Sequence, residues 1–314
     1  MTATEGRVPG LDVAAGVVEV LAPAKINLHL AVGQRRDNGY HELSSTMQSV
    51  DLADTLVLRP APAISVAFAR GRGFEGDLPE PPDLVEQALA LFAAEVPDAR
   101  PLAAEVTKVI PLGAGLAGGS ADAAAALLGA ADLNEGAAGR ERLEAMCRRV
   151  GSDVTFCLRG GTALVEGWGN LVSPMACPHR LWWVLGISDF PLGTAEVYQR
   201  FDEISPAPPG RPERPIRLAK ALVSGHPKEI AAALRNDLEA PAFDLAPGLA
   251  ELKAAMLKAG AVGAILSGSG PTIAGLCRNE AHAEEVLRRA EATFPRVELV
   301  ASADAGAEVL SRRA

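Results

Sequence analysis

The segment Pro111-Leu112-Gly113-Ala114-Gly115-Leu116-Ala117-Gly118-Gly119-Ser120 has the residue types that hold a phosphate with backbone alone. Its glycines leave amide N–H groups uncovered, so an anion can approach closely, and several positions are free to take positive φ. Ala103–Ile110 before it reads as a strand, and Ser120 to Leu133 after it as an alanine-rich helix. A loop in that setting aims its amides, and the positive end of the helix dipole, at one point. Ser120 can cap the helix or offer its hydroxyl to a phosphate or Mg²⁺.

Two common nucleotide motifs fit this loop only in part. Gly113, Gly115 and Gly118 satisfy GxGxxG, but a dinucleotide fold needs a strand and an acidic residue about twenty positions on. Glu135 stands near that place, with helical sequence after it. Gly113–Gly118 also matches the spacing of a Walker A loop, yet Gly119 occupies the lysine position. The needed cation must come from elsewhere, and lysine is the scarce cation here: Lys25 and Lys108 are the only two before residue 220. A guanidinium does not replace a compact ammonium at a tight site.

The elements around the loop are short and mixed. Val17–Leu21, Ile26–Val32, Leu43–Val50, Thr55–Leu58 and Ile64–Phe68 read as strands. Leu84, Ala88, Leu91 and Phe92 mark a helix with Asp83 as N-cap, and a further helix runs from about Arg140 to Val150. A seam falls near Pro174–Pro178. Beyond it come a strand at 181–187, a helix over Thr194–Phe201 and an exposed proline-rich loop at Ser205–Pro215. Helix 247–259, strands 262–267 and 272–277, helix 280–293 and strand 297–301 follow. Without strict βαβ repetition the class is α+β.

Composition narrows the function. The 314 residues suit two domains sharing a cleft, and 48% hydrophobic content supports a sizeable core. A net charge of −9 argues against a general nucleic-acid or membrane-surface binder. Cys147, Cys157, Cys177 and Cys277 are scattered, without CxxC or metal spacing, and read as reduced thiols in a cytoplasmic protein. Residues 1–16 read as a loose leader, and no apolar run reaches membrane-spanning length.

The loop at 111–120 resembles the phosphate loop of the galactokinase, homoserine kinase, mevalonate kinase and phosphomevalonate kinase (GHMP) superfamily. Ala22–Leu28 is similar to that superfamily's first motif and Leu266–Thr272 to its third, in the same order. Gly33–Leu43, Gly151–Phe156, Thr194–Tyr198 and Asn236–Glu239 resemble the branch that phosphorylates a cytidine-diphosphate-linked methylerythritol in non-mevalonate isoprenoid synthesis.

The resemblance implies a two-domain GHMP kinase fold. A ribosomal-protein-S5-like domain would cover 17–178 and a ferredoxin-like domain 179–314. It implies ATP and Mg²⁺ as cofactors, and transfer to the 2-hydroxyl of the cytidyl substrate. ATP would lie along Pro111, Leu112, Gly113, Ala114, Gly115, Leu116, Ala117, Gly118, Gly119 and Ser120, with Lys108 on the nucleotide side. Asp153 would take the hydroxyl proton beside Lys25, and Asn27 would hold the substrate near that lysine. Tyr40 and Tyr198, the only two tyrosines, would sandwich the cytosine, His41 would bond its edge, and Thr194 would line the same site.

Two positions depart from the pattern: Thr155 stands in place of a proline, and Gly167-Trp168-Gly169-Asn170 in place of a G-x-G-E turn. Glu141, Glu144 and Glu166 are unseparated candidates for a Mg²⁺ carboxylate. A sister kinase such as a homoserine kinase, a nicotinamide oxidoreductase and a non-catalytic nucleotide sensor are the alternatives. The expected partner is a small molecule, with neither nucleic acid nor membrane, and a monomer or homodimer.

Overall fold

The computed structural model describes residues 16–36, 39–205 and 210–313; apart from Gly16, the expected leader lies outside them. Val17–Arg35 (β1) and His41–Pro60 (β2) form one long antiparallel hairpin. Each reads as two strands in the sequence, but Ala22-Pro23-Ala24 stays extended. The register slips between Pro23 and Lys25, and a proline at such a bulge removes no needed ladder donor.

Ser65–Arg70 (β3), Leu84–Glu95 (α1) and Leu102–Lys108 (β4) follow, then Gly118–Leu133 (α2), Arg140–Val150 (α3), Val154–Arg159 (α4), Thr162–Gly167 (β5) and Leu171–Pro174 (β6). The second half runs Trp182–Ile187 (β7), Thr194–Ile204 (α5), Ile216–Ser224 (α6), Pro227–Ala231 (α7), Arg235–Asn236 (β8), Glu239–Leu245 (α8) and Gly248–Ala259 (α9). It ends with Gly263–Leu266 (β9), Ile273–Cys277 (β10), Glu280–Ala290 (α10), Arg296–Ala301 (β11) and Glu308–Arg313 (β12).

The described residues form two sheets. One is ordered β12-β1-β2-β4-β3, with β5 on β2, β6 on β5 and β8 parallel to β1. It forks at the bulge: the first half of β2 pairs with β5 and the second half with β4. Lys25 sits at that fork. The other sheet, β11-β7-β10-β9, is antiparallel throughout. After residue 179 the chain therefore returns twice, through β8 and β12, to the first sheet.

Local chemistry sets the helices. Asp83 caps α1 by accepting from the Val85 and Glu86 amides at 2.7 and 2.9 Å. Helix α2 is alanine-rich and largely buried, with Ala123 to Leu127 fully so. Gly129 lets it lie on the sheet, since a Cβ there would come within 2.8 Å of Leu58. The helix begins two residues before Ser120 because Ala117 takes a left-handed conformation (φ 58°) as its N-cap. The sheets share one core, in which Ile26, Leu28 and Ile110 pack with Trp183, Leu185 and Leu276. No helix among the described residues is long and apolar enough to cross a membrane.

Candidate active site

Between the two halves lies a cleft of about 1260 Å³. Lys25, Asn27, Tyr40, His41, Asp153, Thr194 and Tyr198 line it, together with Pro111–Gly115 and Ala117–Ser120. Lys108 and Leu116 do not: Lys108 is buried behind the loop, and the Leu116 side chain is buried too.

The loop is shaped from both sides. Gly115 has φ +77°, and a Cβ there would lie 2.3 Å from the Ser267 carbonyl oxygen. Only glycine fits between the two halves at this point. The first amides of α2 have no intrahelical acceptor, and no side chain caps them. Ser120 is the third residue of the helix and leaves the cap to Ala117. Its place at the cleft wall, beside uncapped amides and the helix dipole, suits an anion.

Beneath the loop is a closed ionic cluster that sequence reasoning missed. Asp54 Oδ1 accepts from the amides of Val109 and Ile110, the residues that lead into the loop. Lys108 Nζ donates to Asp54 Oδ2 and, at 2.6 Å, to Asp122 Oδ2 on α2. All three residues are within 1% of complete burial. Burial disfavours the Lys108 charge, but Asp122 and Asp54 outweigh it and raise its pKa. Burial pushes the Asp122 carboxyl up to about 8 against the pull of Lys108. Its Oδ1 has no hydrogen-bond partner. Burial thus draws Asp122 toward its protonated form while the surrounding carboxyl groups hold Lys108 charged. Lys108 fixes the loop from behind. A lone acid in the run Ala121–Ala131 was the available signal, because a charge on an apolar helix has to be paired.

Lys25 is placed differently. Its Nζ donates to Asn27 Oδ1 at 2.8 Å and to the Gly115 carbonyl at 2.9 Å. It stands 3.7 Å from Asp153 Oδ2, whose side chain is about a quarter exposed at the head of α4. Asn27 is oriented in turn by Ser45, which bonds the His29 carbonyl. The third glycine-rich turn closes over the group: Ser267 Oγ donates to the Gly115 carbonyl at 3.0 Å. Thr194 Oγ1 and Ser269 Oγ are 2.9 Å apart at its rim. An ammonium with three donors spends two on neutral oxygens and keeps its positive charge toward the cleft.

The far end is aromatic. Tyr198 stacks on His41 with ring centroids 5.3 Å apart, and burial raises its phenol pKa. Tyr40 is 58% exposed and lies 6.0 Å from Trp168. His41 Nδ1 donates to the Gly33 carbonyl at 3.0 Å, and Nε2 is 3.3 Å from Asp202 Oδ1. Both ring nitrogens of His41 thus already face protein acceptors. Asp202 and Trp168 line this end; Asp202 follows Tyr198 by four residues, on the same face of α5.

Asp153 and Asp202 are the carboxylates among the described cleft-lining residues. Glu144 is bound by Arg159 at 2.7 and 2.8 Å, which holds its carboxyl below the usual range. Glu166 is paired with Arg214, and Glu141 is exposed on α3. None of the three candidate glutamates reaches the cleft.

Known proteins agree with this geometry. The profile of the GHMP kinases N-terminal domain matches residues 83–161, and that of the GHMP kinases C-terminal domain matches 218–296. The chain is 39% identical over 287 residues to a 4-diphosphocytidyl-2-C-methyl-D-erythritol kinase of Mycobacterium tuberculosis, covering 91% of this chain and 90% of that one. A crystal structure of 4-(cytidine 5'-diphospho)-2C-methyl-D-erythritol kinase superposes with a TM-score of 0.74 at 31% identity, covering 90% and 98% of the two chains. Homoserine kinase from Cytophaga hutchinsonii superposes almost as well, with a TM-score of 0.72 over 98% and 100%, but at 19% identity. That second likeness shows the fold alone; the sequence separates the branches. With its two-sheet fold, its glycine loop and these relatives, the chain belongs to the GHMP kinases and, within them, to the family of 4-diphosphocytidyl-2-C-methyl-D-erythritol kinases.

Proposed function

We propose that the cleft transfers the γ-phosphate of ATP to the 2-hydroxyl of 4-diphosphocytidyl-2-C-methyl-D-erythritol, with Asp153 and Lys25 at the point of transfer. The observation that carries this reading is their 3.7 Å approach beside the Gly115 carbonyl. Asp153 accepts the hydroxyl proton as the oxygen attacks phosphorus. The Lys25 ammonium stabilises charge on the transferring phosphoryl group. The triphosphate lies against the first amides of α2, and the cytidine reaches the aromatic end near Tyr40 and Tyr198.

Mg²⁺ fits as a companion of the phosphates. No cluster of three His, Cys, Asp or Glu among the described residues could hold a metal alone. This ion commonly keeps waters and binds through substrate phosphates with one or two protein oxygens. The Ser120 hydroxyl at the loop is placed to contribute, and the ion would neutralise β- and γ-oxygen charge.

The test is ATP consumption by wild type and Asp153→Asn, offered the cytidyl alcohol, homoserine or mevalonate. Turnover confined to the cytidyl alcohol, and lost in the variant, is expected. Turnover of another alcohol overturns the substrate, and full activity of Asp153→Asn overturns the base.

A further inference from the structure

We infer that Asn236 is a positioning residue for phosphoryl transfer, acting on the Lys25 ammonium through Ser267 and the Gly115 carbonyl; this rests on the reading that Lys25 works in the transfer. Asn236 is buried and lies outside the cleft wall, so it touches no substrate. Its side-chain bonds run to backbone. Nδ2 donates to the carbonyls of Leu266 at 2.8 Å and Gly268 at 2.7 Å, and Oδ1 accepts from the Leu238 amide at 2.8 Å. The two carbonyls it grips flank Ser267. Ser267 donates to the Gly115 carbonyl, and Lys25 Nζ donates to the same oxygen. The turn also crowds the ammonium directly: a Cβ built on Gly268 would lie 3.4 Å from Lys25 Nζ and 3.5 Å from Asn27 Oδ1.

The backbone of Asn236 is fixed to the strand that carries Lys25. Leu30 pairs with Asn236 in the β1–β8 ladder, and the Asp237 amide donates to the Leu30 carbonyl at 2.9 Å. Asp237 Oδ2 accepts from the Val32 amide at 3.0 Å, and Glu239 Oε1 from the Leu266 amide at 2.9 Å. The segment Asn236–Glu239 therefore ties β1 of one sheet to the end of β9 in the other. Asn236 holds the link that ends at the reacting group. Without its amide, two buried carbonyls lose their donor. The turn then relaxes to find new ones, and the oxygen shared by Ser267 and Lys25 moves with it. A misplacement of about 1 Å at a transfer site can cost on the order of 10²-fold in rate.

The experiment is a double-mutant cycle read by single-turnover transfer from labelled ATP to the cytidyl substrate, with enzyme in excess so that slow rates are resolved. Asn236→Ala should lower the transfer rate about 10–100-fold, with both KM values within roughly threefold of wild type. In a Lys25→Ala background the same substitution should change the residual rate less than about twofold, because its route of action is gone. Equal losses in both backgrounds, or a loss confined to KM, overturn the proposal. Ser267→Ala is the milder variant and removes one hydroxyl. A folded Ser267→Ala enzyme with the wild-type transfer rate also overturns it, whether or not Asn236→Ala folds. A Lys25→Ala enzyme with full activity sinks the role of Lys25 itself and leaves the cycle without an anchor, which separates the two failures.

Discussion

Lys25 and Lys108 are the chain's first two lysines, both nearly free of solvent contact and both beside the same glycine loop. Burial does not separate them; partners do. Lys108 is held between Asp54 and Asp122 within a closed cluster. Its charge is answered before any ligand arrives, and what remains is a rigid footing for the loop. Lys25 bonds two neutral oxygens and faces its carboxylate at 3.7 Å, across the mouth of the cleft. Its charge is left facing the cleft, where the proposed transfer would use it. Two lysines of one chain, both buried, thus differ in whether carboxylates in contact answer the charge or neutral oxygens leave it over.

The contrast breaks first at Lys25. Lys25→Met should lower kcat by on the order of 10²–10⁴-fold while lowering the melting temperature less than loss of Lys108 does, since no buried carboxylate in contact loses its cation. Steady-state kinetics beside a thermal melt checks both halves. Lys108→Met should do the reverse in stability. Removing one partner from a buried ionic cluster costs about 3–5 kcal/mol, measured as a fall in the denaturation midpoint. Any surviving folded enzyme should show its defect in ATP KM, through a loosened loop. If Lys25→Met unfolds the chain while Lys108→Met leaves it stable, the assignment of the two lysines is reversed.

Much of this site was legible because its parts are local in sequence. The loop, the strand before it and the helix after it are contiguous, so the candidate phosphate loop could be read from its glycines and its strand–helix setting. Asp83 announced α1, and the cleft-lining positions of Lys25, Asn27 and Tyr198 follow motifs that sit on single strands or helices, with Tyr40 in the turn between two strands. What stayed hidden is non-local. Asp54 and Lys108 meet across β2 and β4, 54 residues apart, and neither residue's neighbours mark the pairing. Asp202 is visible as a partner only once α5 sets it beside His41. The strand β12 escaped notice because Glu308–Arg313 is mostly polar, and only pairing with β1 makes it a strand. The long hairpin was read in pieces because Pro23 looks like a break until a bulge accommodates it.

Gly115→Ala sharpens the comparison on the Lys25 side. The new Cβ would meet the Ser267 and Gly270 carbonyl oxygens at 2.3 and 2.9 Å, at a φ that L-residues rarely take. Strain of about 1–3 kcal/mol is expected, with the Gly115 carbonyl turned away from Lys25 and kcat reduced. Gly113 has a positive φ but open space around its Cβ position, so Gly113→Ala should show the smaller kinetic loss. Parallel kcat measurements on the two variants decide it, and equal losses would mean that the Gly115–Lys25 contact carries no function.

Asp122→Asn probes the closed cluster through the sign of a pH dependence. The folded carboxyl is raised to about 8 from an ordinary value of 3.8, chiefly by burial. Between those values the native state holds a proton that the unfolded chain has released. Stability from this group is therefore complete below about pH 4, falls as pH rises through about 8, and then levels off. A neutral amide mimics the protonated form in both states, so Asp122→Asn should match wild type below about pH 4 and exceed it by a margin that grows until about pH 8. The difference appears as a wild-type stability slope of at most one proton that the variant lacks, and denaturation midpoints across pH 5–9 measure it. An unchanged slope in the variant would mean that Asp122 is ionised beside Lys108. The electrostatic difference between the two lysines would then be larger still.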